Sequence, residues 1–99
     1  MKIRILTSAR NDLAGGRDFY DRQAEGVGDY FLDSLFSDID SLALHAGVHR
    51  KVFGFHRLLS QRFPWAIYYR LEGKNEVVVY RVLDCRQDPR KTIAALRRI

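Results

Sequence analysis

The sequence predicts an α+β domain in which helices come first and an antiparallel sheet second. Three observations carry that expectation. One apolar stripe at helical spacing runs from Val27 to Ala46, the period changes from helical to alternating after Gly47, and three alternating segments follow over 53–60, 65–71 and 76–83. The arrangement expected is an N-terminal strand, an antiparallel two-helix hairpin packed on a twisted antiparallel sheet, and a short C-terminal helix.

Lys2-Ile3-Arg4-Ile5-Leu6 alternates polar and apolar residues and reads as the first strand. Thr7-Ser8 then offers an N-cap, with Asp12 near the positive end of the helix that follows. That helix carries Ala9, Leu13, Gly16 and Tyr20 at three- and four-residue spacing. Gly15-Gly16 at its centre costs about 1 kcal/mol per glycine relative to Ala, so the middle is either frayed or packed tightly against another backbone. The second helix is expected over Val27–Ala46. Phe31, Leu32, Leu35, Ile39, Leu42, Ala43 and Ala46 form its apolar face, Asp29, Asp33, Ser37 and Asp40 its polar face, and Gly47 its left-handed end.

In the sheet, Gly73-Lys74 suits a two-residue primed turn. That turn sets Leu71 opposite Glu76, Tyr69 opposite Val78, Ile67 opposite Tyr80 and Trp65 opposite Val82. Trp65, Ile67, Tyr69, Val78, Tyr80 and Val82 then make the buried face. The other face gathers Ala66, Tyr68 and Arg70 with Arg81, Val79 and Val77, and is expected to stay open, basic and aromatic. Asp88-Pro89 places an N-cap before a first-turn proline, with Ile93 and Leu96 as the stripe of a brief terminal helix.

An apolar fraction of 46% in 99 residues suffices for one core and not two, so residues 1–99 are expected to form a single domain. No apolar run is long enough for a spanning helix or a signal-peptide core, and cytoplasmic residence without a membrane partner is expected. The lone Cys85 fits a reducing compartment and reads as a half-buried small residue rather than a nucleophile. Charge is uneven: residues 1–49 hold five Lys/Arg against eight Asp/Glu, and residues 50–99 hold twelve against four. A second half at +8 suits an acidic or phosphate-rich partner, or simply a solvated basic surface.

Nucleotide-dependent chemistry is not expected, because neither a Walker lysine motif nor Gly-x-Gly-x-x-Gly occurs, and no Ser/His/Asp set stands out. His45 and His49 are four apart, but Gly47 ends the helix between them, so neither metal nor cofactor is expected. The informative cluster is Arg57, Arg62, Arg70, Arg81 and Arg86, interleaved with His56, Tyr68 and Tyr69. Arginine pairs bidentately with phosphate and stacks on bases, so this set suits nucleic acid or an acidic peptide; strand arginines also merely solubilise open sheet faces. Arg57, Arg62, Tyr68, Arg70, Arg81 and Arg86 are the candidate binding residues.

Phe55-His56-Arg57-Leu58-Leu59-Ser60-Gln61-Arg62-Phe63-Pro64-Trp65-Ala66-Ile67-Tyr68-Tyr69-Arg70, with Val77–Leu83 and Arg86-Gln87-Asp88-Pro89, resembles the RelE/ParE superfamily of type II toxins, often described as plasmid stabilisation proteins. The likeness covers nearly the whole chain. It implies a cognate antitoxin whose C-terminal segment wraps and silences the domain in a hetero-oligomer. Members of the superfamily are either ribosome-dependent mRNA endonucleases or poisons of DNA gyrase.

Matched to the nuclease branch, Arg57 fills one basic position of the second strand and Arg86 the late basic position. Leu59 and Ala66 stand where other basic groups are expected, and no Tyr or His follows Arg86. Arg57 and Arg86 are therefore the catalytic candidates only if the protein is a nuclease acting on mRNA at the ribosome. Cleavage needs both oxyanion stabilisation and a proton donor, and only the first is partly supplied. The resemblance thus implies the gyrase-poison branch, with the nuclease and a non-toxic antitoxin-binding protein as alternatives.

Overall fold

The computed structural model describes residues 1–99. Strand β1 (Lys2–Ile5) leads into helix α1 (Thr7–Gln23), and the chain returns through α2 (Val27–Asp40), giving the expected hairpin. Of the paired glycines of α1, Gly16 marks a close approach while Gly15 borders open space, and neither frays the helix. A Cβ at Gly16 would sit 2.6 Å from the Phe31 ring and 3.0 Å from Trp65, so the absent side chain admits both rings while the helix runs unbroken. No side chain caps α1. The Ser8 hydroxyl expected near that cap donates instead to the Tyr80 carbonyl at 2.7 Å.

The second helix is shorter than its stripe suggests. Ser41 Oγ donates to the Asp38 carbonyl at 2.6 Å, engaging an acceptor that continuation through Leu42 would need, and only a single turn, α3 (Leu42–His45), follows. Gly47 then takes the expected left-handed conformation at φ +94.

The strand expected over 53–60 is shorter, because its first two residues form a turn, and a further short strand precedes that turn. Phe53 (φ 53) and Gly54 (φ 81) supply the two left-handed centres of a primed turn, which joins β2 (Lys51–Val52) to β3 (Phe55–Leu59). Strands β4 (Trp65–Glu72) and β5 (Glu76–Asp84) complete a five-stranded sheet in the order β1-β5-β4-β3-β2, antiparallel except where β1 runs parallel to β5.

The β4–β5 register differs from the sequence expectation. Glu72, not Leu71, faces Glu76, because the connection spans Gly73-Lys74-Asn75 and only Gly73 is left-handed there. A bulge then inserts Tyr80, so that Tyr69 faces Val79, Tyr68 faces Arg81, Ile67 faces Val82 and Trp65 faces Asp84. Trp65, Ile67, Tyr69 and Val82 are buried against the helices as expected, but Val77 and Val79 join them there. Val78 and Tyr80, expected in that core, turn to the second face instead.

Beyond Val79 the outer edge of β5 has no strand beside it, and α1 closes it. The Leu6 amide donates to the Val79 carbonyl (3.0 Å), Ser8 to Tyr80, and the Val82 amide to Asp12 Oδ2 (3.0 Å). Backbone groups that would invite another strand are thereby satisfied. The second face is not open along its whole length. Helix α4 (Pro89–Arg97), capped by Asp88 accepting from the Arg90 amide at 2.9 Å, buries Leu96 against Phe55, Ala66, Tyr68 and Leu83. No helix is long and apolar enough to cross a membrane.

Candidate functional site

The alternation of β3 and β4 directs Arg57 and Tyr68 to the second face, where they are cross-strand neighbours. With Cys85 and Gln87 they line one wall of a cavity of about 190 Å³. Pro89, Thr92 and Ile93 of α4 and Val52 and Phe53 of the β2–β3 turn supply the rest. Arg57 is the one charged residue in this lining. Burial pushes the Tyr68 hydroxyl up, and its hydrogen bond to Arg57 opposes the rise. Burial also pushes the Cys85 thiol up despite Arg57, so the thiolate needed for nucleophilic attack is disfavoured. Cys85 is an exposed residue rather than the half-buried one expected.

Arg70 shares this face but not this cavity. Its guanidinium lies 3.9 Å from the Phe55 ring centroid and 5.2 Å from that of Tyr80, and Nε donates to the Gly54 carbonyl at 3.2 Å. Lys51 and His56 line the adjoining depression with it. Tyr80, turned outward by the bulge, donates to Glu72, which holds its hydroxyl above the ordinary range.

The other three arginines are engaged elsewhere. Arg81, expected on the open face, grips Asp12 of α1 bidentately at 2.7 and 2.8 Å. Arg86 holds Asp84 at 3.0 and 2.9 Å and also donates to the Tyr20 hydroxyl at 3.1 Å, beside α1. Burial raises the Asp84 carboxyl, but the Arg86 hydrogen bonds outweigh it and the group stays below the usual carboxylate range. Arg62 lies over the Tyr30 ring at 5.7 Å and donates to its hydroxyl. The five arginines therefore do not form one surface: Arg57 and Arg70 share the second face with Tyr68, and Arg62, Arg81 and Arg86 have separate partners.

Tyr69 is fully buried, and its hydroxyl accepts from the Gly47 amide at 2.9 Å and meets Nδ1 of His49. His56 stacks on the same ring with centroids 5.1 Å apart and bonds the His49 carbonyl. These histidines anchor the loop entering β2. No local sequence signal places Phe53, Thr92 and Ile93 around the Arg57 cavity, since only the β2–β3 turn and the docking of α4 bring them there. No local pattern could pair Asp12 with Arg81 either.

A family model described as ParE toxin of type II toxin-antitoxin system, parDE, matches residues 3–89. No curated protein matches this sequence. Among solved structures, one described as the chromosomal ParDE TA system from P. aeruginosa superimposes with a TM-score of 0.75 at 22% identity, covering 83% of this chain and 92% of that one. That likeness is one of fold, and it agrees with the helical hairpin and sheet described above. With the family model spanning nearly the whole strand, hairpin and sheet, the chain belongs to the ParE toxin family of type II toxin-antitoxin systems.

Proposed function

We propose that this ParE-family toxin arrests growth by binding and poisoning DNA gyrase in the cytoplasm, and that a cognate antitoxin silences it by wrapping the domain. The observation that carries the choice of target is a pair of neighbours on β3 and β4. Leu59 and Ala66, at the positions where the nuclease branch places basic groups, face each other across the ladder, and Ala66 is fully buried. No charge there can meet a phosphate. Arg57 stands alone in its cavity, and Arg86 is already neutralised by Asp84 and held to Tyr20. The two arginines have no partner in common, so the chain lacks the convergent donors that phosphodiester cleavage requires. A poison needs only a binding surface.

Arg57 and Arg70 are the cations most available for a partner on the second face, Arg62 is a further exposed cation, and Tyr68, a binding candidate in the sequence, is instead buried at 3% exposure under α4. An antitoxin segment with acidic residues would complement that face. Induction of the chain without antitoxin should stop growth and raise a DNA-damage response, and coexpression with the neighbouring small reading frame should restore growth and yield a soluble complex. Growth arrest with mRNA cleavage and no DNA-damage response would reject the gyrase target. Separate elution of the two proteins at low and moderate salt would reject the antitoxin partnership.

A further inference from the structure

The cavity around Arg57 sets one cation among apolar walls. Arg57 takes part in none of the ion pairs, which engage Arg4, Arg17, Arg81, Arg86 and Arg90. Asp84, beside Cys85 in the chain, is claimed by Arg86, so no carboxylate of the protein pairs with the Arg57 guanidinium. Around it Val52, Phe53, Pro89 and Ile93 supply hydrocarbon. Tyr68 adds a donor. Its hydroxyl bonds Arg57, and because a guanidinium only donates, the phenolic proton is left for another acceptor. Burial pushes the Tyr68 hydroxyl up, which keeps that proton in place at neutral pH.

Phe53 adds an independent observation. It is the one residue other than glycine with a positive φ, a conformation that bulky side chains rarely adopt, and more than half of its surface stands in water. Burial therefore does not offset the strain. Strained residues cluster where a ligand or a switch uses them, and this ring lines the Arg57 cavity. The volume of about 190 Å³ exceeds the ~150 Å³ in which an apolar protein cavity takes up benzene, so a ring and a carboxylate fit together.

We propose that this cavity binds a monocarboxylate carried on a compact apolar group such as a phenyl ring. The guanidinium and the Tyr68 hydroxyl donate to the carboxylate, and the apolar group lies among Phe53, Pro89 and Ile93. A phosphate dianion fits poorly, because one guanidinium leaves its second charge unbalanced beside hydrocarbon. The source of the carboxylate is either a free organic acid or the C-terminal residue of a polypeptide. Such binding requires neither gyrase nor an antitoxin, so its failure would leave the proposed target untouched.

The test is an amide NMR titration of the full chain with benzoate, benzamide, acetate, phenyl phosphate and the peptide acid acetyl-Gly-Phe at matched ionic strength. Benzoate should give saturable shifts centred on Phe53, Cys85 and Ile93. Benzamide, which lacks the charge, and acetate, which lacks the ring, should each bind about tenfold more weakly. Tighter binding of the peptide than of benzoate assigns the site to a polypeptide C-terminus; equal or weaker binding assigns it to a free acid. Arg57→Met keeps the apolar stem, and it and Tyr68→Phe should each weaken benzoate binding about tenfold, the loss expected for a hydrogen bond to a charged group. Phe53→Asn should weaken binding about threefold while raising stability, opposite signs that a purely structural role would not give. Linear shifts without saturation, equal affinity for benzamide or acetate, tighter binding of phenyl phosphate, or unchanged affinity in both Arg57→Met and Tyr68→Phe would overturn the proposal.

Discussion

Replacing Asp12 tests whether Arg81 is a structural cation rather than a surface one. The Asp12 carboxylate, 14% exposed, holds the 22%-exposed Arg81 through two hydrogen bonds and also accepts from the Val82 amide. Asp12→Ala leaves that amide without its acceptor, which costs about 1–3 kcal/mol. It also leaves Arg81 unpaired; breaking a fully buried pair costs about 3–5 kcal/mol, and partial exposure reduces that to about 1–2 kcal/mol here. The total expected is about 2–5 kcal/mol. Against an overall stability of about 5–15 kcal/mol, such a loss is large, and for a domain of this size it lowers Tm by roughly 8–40 °C. Asp12→Asn keeps an acceptor for Val82 and should lose about half as much. Urea unfolding followed by circular dichroism measures all three proteins. A loss below about 1 kcal/mol for Asp12→Ala would refute the reasoning, because it would place the pair among exposed ion pairs and leave Arg81 free for a ligand.

Trp65→Ala removes a ring that packs 4.9 Å from Phe31 and donates to Tyr20 at 3.0 Å, so unfolding should become easier by about 3–5 kcal/mol; an unchanged urea midpoint would mean the ring is not in the core. Phe53→Asn relieves a left-handed phenylalanine that is 56% exposed and should raise stability by about 0.5–1 kcal/mol, with a lowered midpoint counting against the primed turn. His49 is held below its ordinary pKa by burial first and then by His56 and His45. The unfolded chain therefore binds this proton more readily, so the contribution of His49 is fully present above about pH 6.5 and is lost as pH falls through its lowered folded value. The urea midpoint should drop between pH 7.5 and 5.5 by more in the parent than in His49→Gln, and equal drops would show that His49 does not titrate between folded and unfolded states.

Elements fixed by local periodicity were legible in the sequence: the α1–α2 hairpin, the left-handed Gly47, the two long strands, and the Asp88-Pro89 start of α4. What escaped depended on geometry without a local signature. Val77-Val78-Val79 is apolar at every position, so alternation cannot say which valines face the helices, and the Tyr80 bulge restores the parity of β4 and β5 only beyond it. Trp65 was placed in the core correctly even though its partner is Asp84 rather than Val82, because the pattern of β4 alone decides its face. Phe53-Gly54 is an unusual primed turn, and its Phe reads as strand. At the candidate site Arg57 and Tyr68 were legible as separate candidates but not as a pair, because no turn signal in the sequence sets the β3–β4 register that brings them together. The dispersal of Arg81 and Arg86 was not, because Asp12 reaches Arg81 only through the packing of α1 along the bare edge of β5, and Asp84 claims Arg86 within a turn. Charge counted along the sequence thus overstates the free basic surface of the folded protein.

The most direct test of the proposed mechanism mixes the purified toxin with DNA gyrase, supercoiled plasmid and ATP, then traps covalent complexes with detergent and protease. Linear DNA that accumulates with toxin dose, and disappears when antitoxin is added, is the result predicted; translating ribosomes given the same doses should keep their mRNA intact. Codon-positioned mRNA cuts at low toxin-to-ribosome ratio, abolished by Arg57→Ala and accompanied by no cleaved plasmid, would contradict the account.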